Sequence, residues 1–183
     1  MALWGNSDAD EAKPKWLTAD QKENVYATDR GWVQLNGKGQ EEVICAIGGL
    51  AVSIAAADIN EIEFSTTSFS EAAGGNIDLV ITYNEKVTVV TSGGTPTITV
   101  TNSQAGSGTD ATFTAAYQSG SSTNRLVFRA TYGAADGGVA DGDVLSVASQ
   151  NIALNSGTIK DAGTTTNSGV AVPAGENTLT VAA

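Results

Sequence analysis

Three aspartates in a glycine-rich loop are the residues of this chain whose type and spacing come closest to a chemical site. Asp136, Asp141 and Asp143 fall in one short loop, and carboxylate oxygens are the hard ligands that calcium prefers. The loop lacks the ligand spacing and the closing Glu of an EF-hand, and Asp and Gly are also ordinary turn residues. We therefore interpret the loop as a plain turn, with calcium as the alternative, and expect no other cofactor.

Other catalytic chemistry finds little support in the sequence. The chain has no His, and its one cysteine, Cys45, lies in an apolar run, which predicts a buried, inert thiol rather than a zinc or disulfide site. Glu61 and Glu63 alternate with Ile62, as on the solvated face of a strand. No nucleophile motif or phosphate-binding loop is present. We therefore expect that the protein is not an enzyme.

The charge balance limits the possible partners. Nine Lys and Arg residues stand against 20 Asp and Glu, which gives a net charge of -11. Such an acidic chain is poorly suited to nucleic acid, because it cannot neutralise a run of phosphates, but it is suited to solubility or to docking on a basic surface. No apolar segment approaches the roughly 20 residues of a membrane span, and the N-terminus lacks the pattern of a signal peptide. We expect neither a membrane partner nor a signal peptide.

The element that must organise the chain is a strand from Asn76 to Val89. Ile77, Leu79, Ile81 and Tyr83 recur at a two-residue period, as on the core face of a strand, and a break is predicted at 84–86. Further alternating runs are found at 62–64, 97–101, 111–117, 125–132, 144–147, 152–154 and 179–181. Short strands at this spacing, without a long helix, predict an all-β fold with an immunoglobulin-like β-sandwich over residues 58–183.

A small β-rich docking module is predicted over residues 17–57. Thr18 to Gln21 fits a capping box, followed by a helical turn or two up to Ala27. Residues 31–35 and 42–47 form a β-hairpin around a turn at 36–39. The stretch 50–58 is compatible with helix or strand, and its alternation favours strand. A unit of this size is not stable alone and must pack on something.

The first 16 residues have the composition of an extended N-terminal arm. Trp4 and Trp16 are the large groups in a segment that is otherwise polar, and such a segment cannot fold alone. The arm is either a free tail or a segment that docks on a neighbouring subunit with Trp4 as its anchor. We favour docking, because exposed tryptophans in a free tail would be a liability.

The segments GNIDL (75–79), YNEKVTV (83–89), GTPTITV (94–100) and LNSGTIKDAG (154–163) occur in an order that resembles the bacterial immunoglobulin-like repeats of large surface adhesins. The resemblance covers residues 58–183. It departs from that family because the domain occurs once rather than in tandem, and because no secretion signal precedes it.

The N-terminal segments WGNSD (4–8), KPKWL (13–17), ATDRGWV (27–33) and EVICAIGGL (42–50) resemble the N-terminal region of small structural proteins of tailed bacteriophages. The resemblance implies a non-enzymatic virion structural protein, of the capsid decoration or cement type, which binds the assembled shell through its N-terminal region. It would be made in the host cytoplasm and lie on the capsid surface. Its partners would be the major capsid protein and neighbouring copies of itself, with Trp4, Trp16 and Trp32 as contact residues.

A different class of function remains open at this point. The chain is also compatible with a tail or neck component of the virion, or with an adhesin-like module that recognises host-surface glycans. Copy number separates these possibilities, because a decoration protein is present in hundreds of copies per particle.

Overall fold

The computed structural model of the chain describes residues 13–18, 21–22, 24–28, 30–36, 38, 40–46, 56–162 and 165–182, and these form an almost entirely β fold. The strands are β1 (Val25–Thr28), β2 (Gly31–Leu35), β3 (Glu41–Ala46), β4 (Ile59–Phe64), β5 (Phe69–Ser70), β6 (Gly75–Val90), β7 (Thr97–Asn102), β8 (Thr112–Ser119), β9 (Thr123–Tyr132), β10 (Val144–Ser146), β11 (Gln150–Asn151), β12 (Thr158–Asp161), β13 (Ala171–Val172) and β14 (Leu179–Ala182). The predicted all-β class is confirmed.

Nine of these strands form one large sheet. Eight of them follow the order β12-β6-β9-β8-β7-β10-β14-β5. The ninth, β4, also pairs with β6, at residues 79–83, whereas β12 pairs at residues 87–90. Strands from along the whole of this order contribute to one apolar cluster, so the sheet must bend around that cluster. The division into the two layers of an immunoglobulin-like sandwich stays a prediction.

Strand β6 is the longest strand of the large sheet and pairs with three others, although it lies second in the strand order rather than in the middle. It pairs with β9 and β4 along its first half and with β12 near its end. Ile77, Leu79, Ile81 and Tyr83 are fully buried in the core. The predicted core face is therefore confirmed.

The break predicted at 84–86 is wrong, because β6 continues through it to Val90. The pairing with β9 instead changes register between Thr82 and Val87. Residues 83–86 of β6 lie opposite Asn124 alone, whose side-chain amide donates to the Tyr83 carbonyl at 3.3 Å. Polar residues in this stretch indicate a bulge, and a bulge re-aims side chains without ending the strand.

A separate sheet of order β1-β2-β3, here called the small sheet, precedes the large one. The predicted hairpin is confirmed as β2 and β3, and the capping box is confirmed by reciprocal bonds between Thr18 and Gln21. The helical continuation to Ala27 is wrong, because Val25–Thr28 forms β1 and pairs with β2. Cross-strand pairing and the burial of Val25 and Tyr26 outweigh the local helical signal.

Several smaller predictions resolve differently. Ile152 and Leu154 do not form a strand; Ala153 between them makes one bridge to Thr97, while β11 lies just before. The pattern also missed the short strands β5, β12 and β13. The arm residues 1–12 and most of the ambiguous stretch 50–58 lie outside the described residues. In the part of the chain that the structure describes, no helix has the length and apolar character to cross a membrane.

Candidate docking surface

The aspartate loop is a hydrogen-bonded turn built around one buried carboxylate. Asp143 is fully buried and accepts hydrogen bonds from the Asn102 amide at 2.8 Å, the Gly106 N–H at 2.8 Å and the Ala140 N–H at 2.9 Å. Burial by itself raises the pKa of the Asp143 carboxyl, but these donors together with the Gly108 N–H outweigh burial and hold the pKa below its usual value. Asp143 therefore ties two loops together.

The arrangement of this loop favours the plain turn over the calcium alternative, which stays untested. Both Asp143 oxygens already accept N–H groups, whereas Asp136 and Asp141 are exposed. Nowhere in the described ranges do three or more acidic, His or Cys side chains gather closely enough to hold a metal ion. Asp136, Asp141 and Asp143 thus do not converge on one point.

Glu61, Glu63 and Cys45, the other residues considered for catalysis or metal binding, have structural contacts. Glu61 is 9% exposed rather than solvated, and Glu63 pairs with Arg125 at 3.1 Å. Cys45 is a free thiol, half-buried rather than fully buried, and it packs against the core of the small sheet. These groups stabilise strands and give no shared cleft for a reaction.

One face of the small sheet packs on the outer face of β6. Tyr26 and Val33 are cross-strand partners on this face and are fully or almost fully buried. Thr82, on the face of β6 that points away from the core, is fully buried as well, and β1 lies against β6. The small sheet thus covers a surface of β6 that a half-buried strand would leave to solvent.

A charged clasp fixes this contact. Glu41 of β3 accepts from Lys86 of the β6 bulge, from Arg30 and from the Tyr26 hydroxyl, the last at 2.9 Å. The Lys86 ammonium also lies 5.2 Å from the centre of the Tyr26 ring. The hydrogen bond from Lys86, opposed by burial, holds the pKa of the Glu41 carboxyl below its usual value. At the other end of the contact, Arg125 donates to Asn24 at 3.1 Å.

The opposite face of the small sheet carries a core of its own. Val25 and Trp32 are buried there, and Leu17, Ile44 and Cys45 pack against them. The segment before β1 is held by the buried Lys13, whose ammonium donates to the Lys22 carbonyl at 2.6 Å. Leu17 therefore places residues 13–18 next to this face of the sheet.

An open groove lies between that segment and the β2–β3 hairpin. Its volume is about 430 Å³, within the range of ligand-sized pockets. Trp16 at its rim is 63% exposed and Val43 of β3 is 39% exposed, which is high for large apolar side chains. The groove is lined by Trp16, Leu17, Gln21, Gln34, Glu42, Val43 and Ile44.

The edges of the two sheets differ. The Gln150 side chain accepts from the Thr99 N–H at 2.9 Å and donates to the Thr99 carbonyl at 2.7 Å, so it occupies the place of a neighbouring strand. Asn177 does the same for Phe64, at 2.7 and 3.0 Å. By contrast β3 pairs with β2 along one edge, and no strand of the described ranges pairs along its other edge. Free strand edges are sites where other chains pair.

Charge divides in the same way. Residues 13–46 carry five Lys and Arg against five Asp and Glu, so this region is neutral. Residues 56–183 carry four against twelve, a net charge of -8. An acidic protein surface would therefore be repelled less by residues 13–46 than by the large sheet, and two of the three large apolar side chains that are exposed in the described residues, Trp16 and Val43, also lie there.

The three tryptophans predicted as contact residues have different positions. Trp16 is exposed at the groove rim, whereas Trp32 is 3% exposed inside the small sheet, so its contribution to a partner contact would be indirect. Trp4 lies outside the described residues. The sequence did not predict the groove. The feature of the sequence that could have indicated it is Val43, a large apolar residue on an edge strand.

Comparisons with known proteins leave the chain without an assigned relative. No protein-family model, no curated protein and no solved structure matches it.

Proposed function

We propose that the protein is a non-enzymatic structural component of a tailed-bacteriophage virion, a capsid decoration or cement protein that attaches through its small sheet and displays its large sheet outward. The family part of this proposal rests on the sequence resemblances. The orientation rests on the geometry: the exposed Trp16 and Val43, and the edge of β3 that no described strand pairs with, all belong to residues 13–46, in which positive and negative charges balance.

The mechanism is stabilisation by binding. A protein that binds the assembled shell and not its dissociated subunits shifts the assembly equilibrium towards the shell, by an amount set by affinity and concentration. A small sheet that seats across the joint between shell subunits adds buried area where the shell is otherwise held by weaker contacts. The hydrogen bond from Lys86 to Glu41 holds the large sheet to the small sheet that is bound to the shell.

Copy number tests the assignment. Quantitative mass spectrometry of purified virions should find hundreds of copies of the chain per particle, in a fixed ratio to the major capsid protein. A handful of copies would favour the tail or neck, and absence from the virion would overturn the proposal.

Cross-linking tests the orientation. Treatment of particles with an amine-reactive cross-linker should join the major capsid protein to Lys15 and Lys38, both exposed in the small-sheet region. Lys160 on β12, which is half-buried, is the comparison in the large sheet; its cross-links to the shell should be rare once they are normalised to its reactivity with a monofunctional amine reagent. Shell cross-links mainly from Lys160 would reverse the orientation.

A further inference from the structure

We infer that the groove of the small sheet is a receptor for the N-terminal segment of this same protein, residues 1–12, with the indole of Trp4 as the inserted group. The inference concerns the groove that lies in the proposed attachment region, but peptide binding to it is measured without the shell, so its failure is distinguishable from failure of the proposed function. The proposed occupant of the groove is residues 1–12, and the alternative occupant is a segment of the shell protein.

The first argument is where the described chain begins. Lys13 is 2% exposed and its ammonium is held by the Lys22 carbonyl. Trp16 and Gln21, which line the groove, lie close to these two residues in sequence. Residues 1–12 thus leave a fixed point beside the groove. Trp4 lies nine residues before Lys13, and an extended chain of that length reaches roughly 30 Å, which suffices for the adjacent groove or for that of a neighbouring copy.

The second argument is chemical fit. Leu17, Val43 and Ile44 bring apolar side chains to the groove, Gln21 and Gln34 bring amide groups, and Glu42 brings one carboxylate, which does not favour the acidic part of the segment, so the fit rests on Trp4. An indole is a large apolar body with one N–H donor, and a Gln amide oxygen can accept from it. Apart from Met1 and Leu3, the rest of the segment is small or polar, so Trp4 is its natural anchor.

The third argument is the cost of an empty groove. Trp16 and Val43 both line the groove and expose apolar surface, whereas the backbone at Phe64 and Thr99 is covered by side-chain amides. Covering them with a tethered segment requires little loss of translational freedom, since the tether keeps the effective concentration of Trp4 high.

Peptide binding tests the inference. The receptor is the full-length chain carrying Trp4→Ala, whose own arm no longer competes, and the probe is a fluorescently labelled peptide of residues 1–12. Anisotropy should report saturable binding in the micromolar range, and the Trp4→Ala peptide should bind at least about 10-fold more weakly, as for an aromatic anchor. No saturable binding, or equal binding of both peptides, would overturn the inference.

The unmodified full-length chain should bind the labelled peptide several-fold more weakly than the Trp4→Ala chain, because its own arm occupies the groove. Equal affinity would mean that the arm does not fill it. Analytical ultracentrifugation then shows whether the arm binds within one molecule or between two. A monomer means that each arm fills its own groove, and concentration-dependent oligomers mean that it fills the groove of a neighbouring copy.

Two matched valines locate the site. Val43→Glu puts a charge in the groove and should abolish peptide binding, whereas Val90→Glu, at a valine 46% exposed on the large sheet, should leave it unchanged. Circular dichroism checks folding of both variants. If Val43→Glu fails to fold, Trp16→Ala replaces it, since truncation of an exposed side chain does not disturb a core. Binding that survives the folded groove variant would place the arm elsewhere.

Discussion

The large sheet buries Ile77, Leu79 and Ile81 within its own core, whereas the small sheet buries Tyr26 and Val33 against a neighbour. The large sheet also covers free edges with the side chains of Gln150 and Asn177. The small sheet keeps one edge of β3 and a groove open in the described structure. The large sheet therefore has a core of its own, whereas the small sheet depends in part on packing against β6.

The largest test of this comparison removes one aromatic residue from each core. Phe128→Ala should lower the free energy of unfolding by about 3–5 kcal/mol, because Phe128 is fully buried in the large core. Trp32→Ala should instead loosen the small sheet locally, since its core is shallow. Urea denaturation measures the first effect, and limited proteolysis within 24–46 measures the second. A loss of global stability as large for Trp32→Ala as for Phe128→Ala would contradict the comparison.

The next effect concerns the buried carboxylate. Asp143→Ala leaves the Asn102 amide and two backbone N–H groups without their acceptor, and each unpaired buried donor costs about 1–3 kcal/mol. We expect a total loss of at least about 3 kcal/mol, measured by thermal denaturation. Asp136→Ala, at an exposed position of the same loop, is the control and should change stability by less than about 0.5 kcal/mol.

The same carboxyl gives a pH dependence with a defined sign. The folded pKa of Asp143 lies below its unfolded value, so its contribution is complete above the unfolded pKa and is lost as pH falls through the folded pKa. Thermal stability should therefore fall in acid, and it should fall less steeply in Asp143→Ala. Parallel pH profiles of the two proteins would show that Asp143 does not carry this linkage.

A smaller loss of stability is expected when the contact between the two sheets is weakened. Lys86→Ala removes the ammonium that bonds Glu41 and covers the Tyr26 ring, which should cost about 1 kcal/mol at this partly exposed site. Hydrogen exchange should speed up in β1 to β3 and stay unchanged in β7 and β8. Lys160→Ala is the matched control, and an equal effect from it would mean that the clasp does not hold the small sheet.

The smallest expected effect is that of chelation. Because the oxygens of Asp143 are occupied by N–H donors, EDTA and calcium should give the same melting temperature. A stabilisation by calcium that disappears in Asp143→Ala would restore the metal interpretation.

The sequence by itself determined the β class, the core face of β6, the hairpin of β2 and β3, and the capping box at Thr18. These features are local: a two-residue period, a turn between two β-rich runs, and an oxygen three residues from an N–H. Alternation between buried and exposed positions is visible in any one strand, so it needs no knowledge of the neighbouring strands.

The features that the sequence analysis missed depend on tertiary contacts. Val25–Thr28 became a strand because β2 was there to pair with it, and residues 83–86 became a bulge rather than a break because Asn124 and the small sheet held them. The burial of Thr82, the clasp at Glu41 and the groove beside Trp16 each join segments far apart in the chain. Such contacts depend on long-range pairing energies, which no local window of sequence contains.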